Sequence, residues 1–167
     1  VALADRADIA AVNAVDPEFS ETTLMLAVRE NHPAAVKVLI ERQATLDAGT
    51  RVGPTPAFRL PCKGTGCGSE GVGINRGGIP DRGARAAING GMTALLYAAR
   101  DGRLEEAKLL VAAKANVKRA DPNEISPLLM SILNGHIDVA AFLLDHGADV
   151  NTPDFYGRTP LWAAVDV

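Results

Sequence analysis

Ser126-Pro-Leu-Leu-Met-Ser-Ile-Leu-Asn-Gly-His-Ile-Asp-Val-Ala-Ala-Phe-Leu-Leu-Asp-His-Gly-Ala-Asp-Val-Asn151 decides the fold. It reads as two short helices and a turn. Ser126 suits an N-cap, and Pro127 suits the first helical position, where its missing N–H costs nothing. Asn134-Gly135 ends that helix, because glycine takes the left-handed conformation that satisfies orphan carbonyls. Apolar residues resume at helical spacing through Ile137, Val139, Ala140, Phe142, Leu143 and Leu144, until Gly147 stops the second helix. Neither helix is long enough to hold alone in water, so something must pack on both sides of the pair.

The same phrase recurs along the chain. Thr93-Ala-Leu-Leu-Tyr-Ala-Ala-Arg-Asp-Gly102 stands about 33 residues before it, and Thr159-Pro-Leu-Trp-Ala-Ala about 33 after. Thr22-Thr-Leu-Met-Leu-Ala-Val-Arg-Glu-Asn-His32 is a further copy, and Gly53-Pro-Thr-Pro-Ala-Phe58 opens another. These segments resemble the ankyrin repeat, whose consensus Gly-x-Thr-Pro-Leu-His-x-Ala-Ala…Gly-His…Leu-Leu…Gly-Ala-Asp-Val-Asn runs nearly unbroken from Ser126 to Asn151. The resemblance covers most of the chain outside residues 61–90. It implies an all-α, ankyrin-type helix-turn-helix solenoid with β-turn fingers, interrupted by one long Gly-rich loop.

In such an array each unit touches only its neighbours, so stability is a sum over units and interfaces. The division expected is an N-terminal partial and full unit over 1–60, a loop over 61–90 that replaces the helices of one unit, and further units over 91–167, the last cut short. Within residues 1–15, Ala7-Asp8-Ile9-Ala10-Ala11-Val12 resembles the opening of a second helix, and Asp16-Pro17 marks the loop into the first full unit. Gln43 and Lys114 stand where the family places a left-handed glycine, which implies about 1 kcal/mol of backbone strain at each. Where the family carries histidine in Thr-Pro-Leu-His, this chain has Met25, Phe58, Leu96, Leu129 and Trp162. An apolar spine is the expectation there, in place of a polar network.

Residues 61–90 hold nine of the chain's 16 glycines and show neither a 2.0 nor a 3.6 periodicity. Loops of this length are functional or disordered as a rule. Gly66-Cys-Gly-Ser-Glu-Gly71 matches a dinucleotide fingerprint in letters only, since that motif works between a strand and a helix N-terminus. Cys62 and Cys67 are the only cysteines, and two thiolates do not complete a tetrahedral zinc site. No metal and no cofactor is expected. The two are read as free thiols, with a small-loop disulfide as the alternative in an oxidising compartment.

The net charge of −3 and pI near 5.6 lack the clustered Lys and Arg of a nucleic-acid surface. No apolar run approaches the ~18 residues that span a bilayer, so this stretch is not expected to insert in a membrane. The opening Val1 and the close inside a repeat read as a fragment of a longer protein, and its compartment stays open. His32 and His136 are expected to hydrogen-bond at the turn between helices, and His146 to sit at a helix C-terminus. Carboxylates, as in Arg103-Leu-Glu-Glu-Ala-Lys108, read as an exposed face with local pairing.

Ankyrin-like arrays are scaffolds for protein–protein recognition, so the resemblance implies a non-catalytic module whose partner is another protein. Finger tips and first helices line its concave face. The partner-binding candidates are Met92, Asn123, Ile125, Phe155, Tyr156 and Arg158 on the fingers, with Arg100, Asp101, Leu133 and Asn134 from the first helices. Phe155-Tyr156-Gly157-Arg158 is the most pointed of these, because aromatic and Arg side chains are the commonest interface anchors. The rival readings are a ligand-binding or enzymatic role centred on residues 61–90, and a regulatory array of a larger enzyme.

Overall fold

The computed structural model describes residues 9–54 and 88–166. Each first helix begins at a hydroxyl. The side chains of Thr22, Thr93, Ser126 and Thr159 accept from the amides of Met25, Leu96, Leu129 and Trp162 at 3.1–3.3 Å. The caps start α1 (Thr23–Arg29), α3 (Ala94–Asp101), α5 (Pro127–Leu133) and α7 (Pro160–Asp166). The second helices are α2 (Pro33–Glu41), α4 (Leu104–Ala112) and α6 (Ile137–Asp145). With seven to nine residues apiece, none would persist outside the stack.

First helices pack on first helices, α1 on α3, α3 on α5 and α5 on α7, while α2 packs on α4 and α4 on α6. This is the all-α ankyrin-type solenoid. Its core runs from Leu24, Val28 and Val36 through Leu95, Ala98 and Leu110 to Leu128, Leu129 and Ile132. Each fully buried Leu or Val contributes about 1.5–3 kcal/mol. The apolar spine holds at Met25, Leu96 and Leu129, all at most 1% exposed. It does not hold at Trp162, which is half exposed at the end of the described stack. Phe58 lies outside the described residues.

Left-handed backbone recurs at three places in each unit. One falls at the finger (Ser20, Gly91, Glu124, Gly157), one after the first helix (Asn31, Gly102, Gly135) and one after the second (Gln43, Lys114, Gly147). Gln43 and Lys114 thus take the conformation expected of them, at φ 62° and 75°. Residues 9–12 are helical and run straight into Asn13, whose Oδ1 accepts from Thr45 N at 2.7 Å. That contact repeats farther on, where Asp47 Oδ1 accepts from Asn116 N. This helical turn therefore abuts the loop after α2; Ala7 and Asp8 of the expected helix opening lie outside the described residues.

The expected loop over 61–90 and the unit opening at Gly53 fall, from Thr55 to Ala87, outside the described residues. On either side, β1 (Gly53–Pro54) pairs antiparallel with β2 (Ile88–Asn89). Just below this neck Thr50 and Met92 exchange main-chain and hydroxyl bonds at 3.0–3.1 Å. Chain leaves and re-enters through one finger, and the helices before it pack directly on the helices after it.

Candidate functional site

The fingers are built by aspartates. Asp121 Oδ1 accepts from the amides of Asn123 and Ile125 at 2.9 and 2.8 Å. One repeat later, Asp154 Oδ1 accepts from Tyr156 N and Arg158 N, both at 2.9 Å. Its other oxygen takes the Arg158 guanidinium, with Nε at 2.8 Å and Nη2 at 2.7 Å. The Asp154 side chain is 0% exposed, so the pair is held in a low-dielectric setting where the bonds are strong. The main chain also links successive fingers, through Phe155 N to Asn123 O at 2.9 Å.

Tyr156 is thereby fixed at a tip while remaining 64% exposed. Its ring meets Phe155 edge-on at 5.4 Å, and the Arg158 guanidinium lies 5.2 Å from its centroid. Phe155, Tyr156 and Arg158 are thus brought together as one group. Arg100 and Asp101 form a second pair, bidentate at 2.7 and 3.0 Å, with Arg100 stacked over Tyr97 at 4.7 Å. Met92, Ile125 and Leu133 are half-buried and pack on the core. Asn134 is exposed and spends its Nδ2 on Met130 O.

Two groupings on this face were not singled out from the sequence. Asp154 itself is one. Its signal was legible, since Asp121 and Asp154 open successive fingers at the repeat spacing, and Asp16 opens an earlier one. The other joins α1 to α3: Glu21 receives Arg29 Nη1 on both oxygens at 3.0 and 2.9 Å and the Tyr97 hydroxyl at 2.6 Å. Burial, and then the bond to Glu21, push the Tyr97 phenol up to about 12. Nothing local announces a contact between residues 76 apart.

His136 Nε2 stands 3.0 Å from Arg100 O, and His146 Nδ1 stands 2.8 Å from Phe142 O at the end of α6. Arg103, in the place His136 occupies one repeat on, reaches Arg29 O through Nη2 at 3.5 Å. The exposed pairing expected around it holds for Lys108 and Glu105 at 2.8 Å. It fails for Glu106, which is 1% exposed with Oε1 unpartnered among the described residues. No group of three or more His, Cys, Asp or Glu among the described residues is placed to hold a metal. No helix among them is long and apolar enough to cross a membrane. Cys62 and Cys67 lie outside the described residues.

A family model of three ankyrin repeats matches residues 95–166, and a single ankyrin repeat matches residues 20–51. Ankyrin repeats are a protein–protein interaction module. Among curated proteins, the chain is 43% identical over 61 residues to human (Homo sapiens) ankyrin repeat and KH domain-containing protein 1, covering 36% of this chain and 2% of that one. It is 30% identical over 150 residues to glycerophosphocholine phosphodiesterase gde1 of Schizosaccharomyces pombe, covering 87% of this chain and 13% of that one. It is 38% identical over 72 residues to probable E3 ubiquitin-protein ligase XBOS33 of Oryza sativa subsp. japonica, covering 42% and 14%. The chain thus spans at most 14% of the length of these relatives. With ankyrin repeats matched over residues 20–51 and 95–166, the chain belongs to the ankyrin repeat family.

Proposed function

We propose that this chain is a non-catalytic module that binds another protein through its fingers and first helices. The contact residues would be Met92, Arg100, Asp101, Asn123, Ile125, Leu133, Asn134, Phe155, Tyr156 and Arg158. One observation carries the reading: a fully buried aspartate holds an exposed tyrosine and an arginine at a finger tip. Rigid aromatic and Arg groups lose little freedom on binding and make the strongest anchors. Tyr156 stays 64% exposed while contacting Phe155 and Arg158, which leaves much of its ring open to a partner.

The test replaces Tyr156→Ala and Arg158→Ala in the full-length protein, with a partner identified by affinity capture. Tyr156→Ala should weaken binding by about 1–2 kcal/mol with the melting temperature unchanged. Arg158→Ala also strips the buried Asp154 carboxylate of its partner, so its stability should fall and its affinity, read per folded molecule, should fall as well. A fall in stability at constant affinity per folded molecule would make the finger structural only.

The same reading keeps the division into 1–60, 61–90 and 91–167, with catalysis assigned to no part of the chain. A second reading has a specific support. Similarity to the phosphodiesterase gde1 runs over 87% of this chain yet over 13% of that protein. It favours an array that regulates a catalytic domain elsewhere in a longer polypeptide. Tethered and severed forms of that polypeptide, compared for activity, separate a regulator from a free-standing scaffold.

A further inference from the structure

A cavity of about 440 Å³ lies between the first finger and α1, lined by Asp16, Phe19, Glu21, Leu26 and Arg29. None of these residues is among the contact residues above. Phe19, 59% exposed, and Leu26, 36% exposed, give the cavity an aromatic and an aliphatic lining. The acidic groups are fixed before any ligand arrives. Asp16 Oδ2 accepts from Phe19 N at 2.7 Å and Glu18 N at 3.0 Å, and Glu21 is held by Arg29 and Tyr97. Asp16 Oδ1 has no hydrogen-bond partner among the described residues.

The charged residues lining the cavity are Asp16 and Glu21 against Arg29, an excess of negative charge, with Glu18, Glu30 and Arg51 adjoining the lining in sequence or by hydrogen bond. Arg29 is already committed to Glu21 at 2.9 Å and to Glu30 at 3.4 Å, and Arg51 Nη2 is bound to Pro17 O at 2.9 Å. What stands open is one carboxylate oxygen of Asp16, in a cavity whose lining also includes the exposed Phe19 and Leu26. We propose that this cavity receives a lysine side chain of the protein partner. Its methylenes would lie on Leu26, and its ammonium would sit between Asp16 Oδ1 and the ring of Phe19. Arginine fits less well, because a guanidinium favours a carboxylate with both oxygens free, and Asp16 offers one.

This inference rests on the reading that the finger and first-helix face binds a protein, and it adds the chemistry of that protein. Its test needs no identified partner. The ¹⁵N-labelled 167-residue chain is titrated with the blocked tripeptide Gly-Lys-Gly, and with its norleucine and glutamate counterparts. The lysine peptide should shift the amides of Phe19, Leu26 and Arg29, the norleucine peptide should act more weakly, and the glutamate peptide should do nothing. Asp16→Asn keeps an acceptor for the two amides and removes the charge; Phe19→Ala removes the ring. Each should weaken lysine binding about two- to fivefold, with added salt acting in the same direction. Norleucine binding as well as lysine would overturn the proposal, as would no shifts with lysine, or unchanged binding in both variants. Those results leave the Tyr156 and Arg158 experiment standing, since it reads a whole partner at another finger.

Discussion

The imidazole of His136 lies directly against the Cα of Gly102, so that a methyl group on that carbon would come within 2.5 Å of Nδ1. The glycine also sits at φ +68°. The histidine needs that place to reach Arg100 O at 3.0 Å, which ties the second helix of one unit to the first helix of the one before. Gly102→Ala therefore meets two obstacles, left-handed strain of about 1 kcal/mol and overpacking of about 1–3 kcal/mol. Gly135, at φ +77°, has nothing within 4 Å of a methyl group, so Gly135→Ala should cost only the strain. Urea unfolding of the two variants checks the ordering, and equal losses would refute the steric part.

Lys114 supplies the converse. It holds φ 75° where Gly147 serves one repeat on, and its side chain is exposed. Lys114→Gly should raise stability by about 0.5–1 kcal/mol by relieving the strain, less some entropy gained by the unfolded chain. A lower midpoint for this variant would show that Lys114 is held by something more than backbone geometry.

Glu106 occupies the place that Val139, 0% exposed, fills one repeat later. A carboxylate there keeps Oε1 unpartnered, and on the same helical turn Arg103 Nε is unpartnered too. Buried polar groups without partners cost about 1–3 kcal/mol. Glu106→Val should accordingly raise the melting temperature. A drop on that substitution would mean that the carboxylate is satisfied by a buried water.

Tyr97 gives the fold a pH signature. Its folded value near 12 lies above the ordinary 10.0, so the protonated phenol is the form the fold favours. The stability it adds is complete below pH 10 and is lost as pH climbs from 10 through 12. Tyr97→Phe should cost about 1 kcal/mol at pH 7, since Glu21 keeps Arg29. The difference between the two proteins should then shrink above pH 10. A gap that stays constant to pH 12 would contradict the Tyr97–Glu21 bond.

Much of this was legible in the sequence because the signals are local. A Thr or Ser before each first helix and a break at each left-handed site lie within a few residues of what they determine. Even the strained Gln43 and Lys114 could be read from the resemblance, since they stand where the family places glycine. What escaped reading was relational. Glu106 looked like a surface residue because its neighbours Glu105 and Lys108 are, and only the packing of α4 on α2 and α6 hides it. Trp162 looked like spine because its counterparts are. The Tyr97–Glu21 contact crosses from one unit to the next, and no local pattern encodes it. On the candidate face, the aromatic finger stood out by residue type, whereas the aspartate that holds it was signalled only by the recurrence of Asp121 at Asp154, and its hold on the finger emerges with its donors in place.

The neck formed by Gly53–Pro54 and Ile88–Asn89 bears on how this polymer finds its shape. Interfaces between ordinary neighbours join residues such as Arg100 and His136, 36 apart, whereas the interface across the neck joins Glu21 and Tyr97, 76 apart. Loop-closure entropy grows only with the logarithm of length, so this doubling costs about 0.6 kcal/mol. A single hydrogen bond of the Tyr97 kind offsets it. The joint is thus nearly free in equilibrium terms, yet its Tyr97–Glu21 bond spans more sequence than any other hydrogen bond among the described residues, and such a contact is the last that a growing nucleus reaches. The helices from α3 onward should gain protection from hydrogen exchange before α1 and α2 dock onto them, and a pulse-labelling experiment that found α1 protected first would reverse that order.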